Sequence, residues 1–378
     1  MKKTLFCLMA AAALAGCQND DSDFSAYTDG EATADNAIYI HYNGTSVSVT
    51  GDTNGYVSTS GADVIVNTGS ATDSLLLVLS GSTSDGSLLV YRQRKFGIRL
   101  NGVSIHNSDG PAINNQCGKS LYVEVAAGTT NTLTDGTAYA DATDSDGTAI
   151  QQKGALFSEG QLYFSGSGTL NVTGSTKNAI ACDDYIVIDD ATITATSSTG
   201  HGISVNDGFQ MNSGTLNIDV TGDGCKGLKN DSTTFITGGT LNISTTGGCV
   251  YDEDAADYSS AACIKGDYAI NISGGNITLT SSGDGGKGIN CDRDVVFSGG
   301  SMTVTTTGSN NDAKPKGVKS DTGIIVSGGS FHVTVKKSWA CDNGYESADE
   351  TDQAANCVTI VGTPATQSLA KKSVTIVF

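Results

Sequence analysis

Proline is nearly missing from this chain, at 3 of 378 residues, aromatic residues make up 6% and charged residues only 16%. So little charge argues against a disordered protein, and so few helix-forming charged residues argue against a helical one. Basic side chains are scarce, 21 against 40 acidic, and the formal charge of −19 repels nucleic acid, which is not an expected partner. Arginine is confined to Arg92, Arg94, Arg99 and Arg293. No Ser-His-Asp order, phosphate-cradling glycine loop or nucleotide motif stands out, and His41, His106, His201 and His332 are scattered. The cysteines lack the paired short spacing of a zinc site, and the glycine-aspartate nonapeptide of a calcium β-roll is absent.

What is abundant is glycine, at 48 residues, together with serine and threonine. That composition leaves many short strands joined by glycine corners. At the N-terminus Lys2 and Lys3 precede an apolar run from Leu5 to Ala13, which ends in Leu14-Ala15-Gly16-Cys17. Such a run is too short to span a bilayer as a mature helix, and small residues before a cysteine suit cleavage and acylation of its thiol. The expected plan is a lipoprotein signal peptide over 1–16, lipidated Cys17 opening an acidic tether over 17–37, and a single domain over 38–378. Localisation follows as an outer-membrane lipoprotein exposed at the cell surface. The acids after Cys17 resemble the signal that moves some Gram-negative lipoproteins to the outer face, and read plainly as a solvated tether.

Cys7 lies in the signal and Cys17 at the lipid site, leaving eight cysteines in a compartment that permits disulfides. Cys341 and Cys357 flank one acidic loop and Cys249 and Cys263 another, while Cys225 with Cys249 is a competing pair. Spacing alone does not choose among them.

The strongest signal is a repeat. GSGTLNVT at 166–173 recurs as SGTLNIDV at 213–220, GGTLNIST at 238–245, GGNITLTS at 274–281, GGSMTVTT at 299–306 and GGSFHVTV at 328–335. Gly214, Gly239, Gly275, Gly300 and Gly329 are spaced by 25, 36, 25 and 29 residues, so one coil takes about 25 residues plus insertions. Alternation puts Leu216, Leu241, Ile277, Met302 and Phe331 in one inward column and Ile218, Ile243, Leu279, Val304 and Val333 in the next. A period of two excludes helix-containing solenoids, and one coil cannot bury its apolar edge alone, so the coils must stack. The predicted fold is an all-β parallel β-helix solenoid.

A second strand family completes the coil, with the inward column Ile180, Ile203, Leu228, Ile264, Ile289 and Val318. Its units include KGLKND at 226–231, CIKGDYAINI at 263–272, KGINCDRDVVF at 287–297 and KGVKSDTGIIV at 316–326. Upstream, from Ile38 to Leu162, the pattern is looser, although 99–113 and 154–164 read as further coils. The segment VSIHNSDGPAI at 103–113, TNTLTDGTAYAD at 130–141, GSGTLNVTG at 166–174 and the GDG-x-KG-[ILV]-x-x-D units together resemble a bacterial carbohydrate-binding β-helix family related in fold to pectate lyases. The resemblance covers about residues 38–337. It implies a right-handed parallel β-helix that binds plant polysaccharide such as polygalacturonate or cellulose, with bound calcium and no established catalytic role. His201 stands where a GDG aspartate is expected and Pro315 follows Lys314 in the last unit, so those coils depart from the pattern.

On the outward positions, Asp231, Asp267, Asp292 and Asp321 form one column, beside Lys229, Lys265, Asn290 and Lys319. Parallel strands stack ~4.8 Å apart, so four carboxylates in register repel unless lysines or a cation intervene. One reading is a self-neutralising surface ladder. The other is a binding face, where an anionic uronate chain along the axis meets these lysines together with Lys226, Lys287 and Lys316, with calcium bridging carboxylates. A second set of acids, Asp223, Asp284 and Asp312, lies at turns, where carboxylates either bond their own backbone or hold calcium. The insertion at 249–262 carries Tyr251 and Tyr258, placed to stack on sugar, amid Asp252, Glu253, Asp254 and Asp257. A later loop carries Trp339, Asp342, Tyr345 and Glu346, with Trp339 also suited to capping the last coil.

Three function classes follow. The first is calcium-assisted, non-catalytic polysaccharide binding by a lipid-anchored surface protein. The second is a calcium-dependent polysaccharide lyase, whose basic residue would be an arginine or a lysine of lowered pKa, such as Lys229 or Lys265. The third is a structural adhesin. A hydrolase using Asp183 and Asp184 is disfavoured, because adjacent strand residues face opposite ways.

Overall fold

The computed structural model describes residues 37–254, 256–309, 313–343 and 357–378. The signal peptide, Cys17, the tether up to residue 36, Asp312, Tyr345 and Glu346 lie outside them. The described residues hold strands and turns and no helix. Eleven turns of a parallel β-solenoid stack on one another, about 25 residues apart.

Each regular coil contributes one strand to each of three faces. In one coil Lys226–Asn230 lies on the first face, Thr234–Ile236 on the second and Thr240–Thr245 on the third. The next coil repeats them as Ala262–Gly266, Ile270–Ile272 and Asn276–Ser281, parallel and in register. The third-face columns are those read from the repeat. Leu216 pairs Leu241, Leu241 pairs Ile277, Ile277 pairs Met302 and Met302 pairs Phe331, all buried. Ile180, Ile203, Leu228, Ile264, Ile289 and Val318 are buried as well, stacked in register on the first face. Full burial of such a side chain stabilises by about 1.5–3 kcal/mol, and the gain recurs coil after coil.

Between the second and third faces the chain turns at paired glycines. Gly300 has φ +81°, and a Cβ there would lie 2.5 Å from the carbonyl oxygen of Gly275 in the coil below. Only glycine meets both demands. The KG-[ILV] glycines answer a different constraint, because their φ is ordinary. A Cβ on Gly227, Gly288 or Gly317 would fall 2.2 Å from a methyl of Ile243, Val304 or Val333 respectively. The absent side chain is the space into which the third-face methyl packs.

The looser N-terminal pattern has a physical cause. Val47–Thr50 and Val57–Ser60 run antiparallel to their neighbours and close the end of the solenoid, and Phe96–Asn107 runs as one strand across two faces. At the other end the hairpin Thr366–Ala370 and Ser373–Val377 lies antiparallel on Ser330–Val335. Trp339 is buried there beneath the Lys371 ammonium, 4.3 Å from the ring centroid.

All eight cysteines of the described residues are free thiols, in place of the disulfide pairs read from spacing. The sulfurs of Cys225, Cys249 and Cys263 point to different coils. Cys225 meets the carbonyl of Thr199 below, Cys249 lies against Gly285 above, and Cys263 faces the core beside Ile243 and Thr245. Burial pushes the Cys263 thiol up to about 12, which keeps it protonated and unreactive at neutral pH.

Candidate carbohydrate-binding site

The first face carries the charged columns. Lys229, Lys265, Asn290 and Lys319 pair in register on successive coils, with Asp342 next. The aspartates two residues on stay aligned, because Asp267, Asp292 and Asp321 each donate a backbone N–H to the coil below. Residues i and i+2 share a face of a strand, so each lysine meets its own aspartate. Lys229 pairs with Asp231, Lys319 with Asp321 at 2.7 Å, and Lys265 bridges Asp267 at 2.7 Å and Asp292 at 2.6 Å. Burial works against the Lys265 charge, but its two carboxylates outweigh that and raise its pKa. The like-charge problem posed by four aspartates is solved by interleaved lysines.

The second lysine column is placed differently. Lys226 aligns with Ala262, Lys287, Lys316 and Trp339 at the corner where the chain enters the first face. Lys226 and Lys316 are buried and Lys287 half-buried, so the three are not spread on the surface that an approaching chain would touch. Lys226 donates to the carbonyl of Gly224 and to Ser259 Oγ, Lys287 donates to Ser260 Oγ, and Lys316 pairs with Asp342. The corner turns Lys226 and Lys287 under the hairpin Cys249–Asp252 and Asp257–Ser260, which they hold down through its serines, while Lys316 reaches Asp342 at the end of the ladder column. Burial, with neighbouring lysines adding to it, lowers the pKa of Lys226 and of Lys287 to about 8.

That hairpin carries Tyr251 and Tyr258 directly opposite one another, with ring centroids 5.1 Å apart in an edge-to-face arrangement. Tyr251 is exposed beside the lysine face. At the turns, Asp223 Oδ1 accepts the Gly248 N–H at 2.7 Å and Asp284 Oδ1 accepts the Ser309 N–H at 2.9 Å. Both bonds run between coils, so these carboxylates fasten one turn to the next. Among the described residues no three His, Cys, Asp or Glu side chains converge as a metal cage. The ladder acids are held by lysines, Asp223 and Asp284 accept backbone N–H groups, and Asp312 lies outside the described residues.

One group was missed in the sequence, Tyr268, whose neighbour is Arg293, the one arginine of the repeat. Tyr268 and Arg293 each follow a ladder aspartate on successive coils, and the guanidinium lies 5.7 Å from the Tyr268 ring centroid. Both side chains are exposed, and Arg293 forms no ion pair among the described residues. Their shared place in the units GDYAINI and CDRDVVF was the available signal. On the second face Tyr122 stacks on Tyr163 at 4.9 Å and Tyr163 meets Tyr185 edge-on at 5.6 Å.

A family model described as "Carbohydrate-binding domain-containing protein" matches residues 60–234, 224–313 and 268–368. The chain belongs to this family. Membership supports polysaccharide binding in general. A solved structure titled as the polysaccharide lyase-like protein from C. thermocellum, a gadolinium derivative, is 19% identical with a TM-score of 0.49, covering 86% of this chain and 100% of its own. No curated protein sequence matches the chain.

Proposed function

We propose that this protein binds acidic or cellulosic plant-type polysaccharide without cleaving it, on the first face of the solenoid. The observation that carries this reading is the register of Lys229, Lys265 and Lys319 along the axis. In a chain of formal charge −19, that face interleaves cations with its acids, and it is flanked by exposed Tyr251 and Tyr268. An extended glycan lying along the axis would meet a repeat at every coil. Ammonium groups offer its hydroxyls and carboxylates charge-assisted hydrogen bonds, and the tyrosine rings offer its apolar ring faces a surface.

Two further parts of the proposal come from the N-terminal sequence and the family resemblance. Cys17 would anchor the solenoid to the outer membrane, and calcium would assist by bridging acids of protein and glycan. The lysines of lowered pKa do not favour the lyase reading, since Lys226 is buried, Lys287 is half-buried, and each is held against a serine of the hairpin. The test incubates the purified mature chain with polygalacturonate in calcium or in chelator, following sedimentation of bound protein and ultraviolet absorbance of unsaturated product together. Binding without new absorbance is the expected result, stronger in calcium if the metal takes part. Rising absorbance would make the protein a lyase, and no binding to polygalacturonate or to cellulose would refute the proposal.

A further inference from the structure

We propose that Arg293, laid over Tyr268, is the residue that selects a uronate carboxylate from a neutral sugar on this face. The inference rests on the polysaccharide-binding reading above and adds the group that sets its specificity.

The ladder cations are engaged, and Arg293 is not. Lys229, Lys265 and Lys319 each hold a carboxylate of their own column, so a ligand must compete with Asp231, Asp267, Asp292 or Asp321 for them. The acids nearest Arg293 are engaged as well. Asp292 is held by Lys265 at 2.6 Å, and Asp294 accepts the Thr322 hydroxyl at 2.5 Å. The guanidinium is therefore exposed with its fork uncommitted among the described residues. A planar guanidinium presents parallel N–H groups that match the two oxygens of a carboxylate, a geometry an ammonium lacks.

Tyr268 supplies the second half of the subsite. Among the described residues it is the most exposed of the large hydrophobic side chains, at 55%. A guanidinium near an aromatic ring is attracted to its electron-rich face, which restricts the long side chain and leaves less entropy to be lost on binding. The two residues occupy neighbouring coils, which are ~4.8 Å apart along the axis. Consecutive units of an axial glycan would then meet the ring and the fork in turn. The tyrosine contact serves a neutral sugar as well as an acidic one, whereas the arginine contact serves only the acid.

Affinity electrophoresis of the mature chain in chelator tests this, with polygalacturonate, its fully methyl-esterified form and hydroxyethyl cellulose as the embedded ligands. Arg293→Gln is expected to weaken polygalacturonate binding about tenfold and to leave the ester and the cellulose derivative unchanged. Arg293→Lys should recover only part of that loss, and Tyr268→Ala should weaken acid and ester alike. Lys336→Gln removes an equal charge from a different corner and should change nothing. Equal weakening for acid and ester by Arg293→Gln, an unchanged affinity for polygalacturonate, or an equal effect of Lys336→Gln would overturn the assignment while leaving the binding face intact. A wild-type chain that binds none of the three ligands, either in chelator or in calcium, would remove the binding reading, and this inference with it.

Discussion

His201 shows how a single departure from a repeat is absorbed. Ile203 pairs with Leu228, so His201 stands in the column of Lys226 and not at the GDG aspartate expected from the sequence, and its Nδ1 accepts the backbone N–H of Lys226 at 3.0 Å, which fixes the neutral tautomer with its proton on Nε2. Burial, followed by the charges of Lys226 and Lys229, pushes its pKa down to about 4. An unfolded chain would protonate it near 6.5, so between 6.5 and 4 the unfolded state binds more protons and stability falls as pH falls. The stabilisation is whole above about pH 6.5 and lost on passing through about 4. Because the ring is partly solvated, the loss is expected to be on the order of 2 kcal/mol. Urea unfolding at pH 7, 5.5 and 4 should show it, and His201→Gln, which keeps an acceptor without the titration, should flatten that part of the profile. An unchanged profile in the variant would show that other groups set it. At this scale the sequence was least informative. Asp223 and Asp284 were legible as turn acids, but not which backbone N–H each would take. Lys226 and Lys229 both read as parts of one binding face, yet the corner turns one under a hairpin and leaves the other outside.

Strands were more legible than side chains, because alternation and a shared period are properties of the whole segment. The inward columns from Leu216 to Phe331 pair as the repeat implies, since a slip of one residue would turn every apolar side chain into water. Tyr268 and Arg293 stand one plain period of 25 residues apart, just past strands that pair in register. Their adjacency depends on aligning turns across coils, and turn residues carry no hydrophobic period. The KG-[ILV] motif was visible as a sequence pattern, but its cause needed the third face. Val304 Cγ1 fills the place a side chain at 288 would take, and the Gly317 carbonyl oxygen would lie 2.5 Å from that Cβ. Gly288→Ala is therefore expected to destabilise by about 1–3 kcal/mol, although alanine is ordinarily better than glycine within a strand. Denaturant midpoints at a constant m-value would measure this. A change within about 0.5 kcal/mol would mean that the corner relaxes freely.

For the molecule as a whole, contacts run from each coil to its two neighbours, so stability should be close to a sum over coils and their interfaces. That makes removal of an entire coil gentler than its 25 residues suggest. Deleting residues 275–299 joins Gly274 to Gly300 and preserves the glycine pair at the turn. Thr240–Thr245 would then face Ser301–Thr306, Ala262–Gly266 would face Lys316–Ser320, and Ile270–Ile272 would face Ile324–Val326. Each new interface sets apolar residues on apolar residues, with Leu241 over Met302 and Ile264 over Val318. Both end caps are untouched. The shortened chain should keep its β circular-dichroism spectrum and unfold with an m-value lower by roughly one coil in eleven, since m follows the surface exposed. It also loses Arg293, while Lys229, Lys265, Lys319 and Tyr268 remain. Such a protein should therefore lose its preference for polygalacturonate over the methyl ester and keep the affinity that both ligands share. An unfolded or aggregated product would show instead that this coil carries more than its share of the solenoid's stability, and that the nearest-neighbour picture fails around the hairpin it supports.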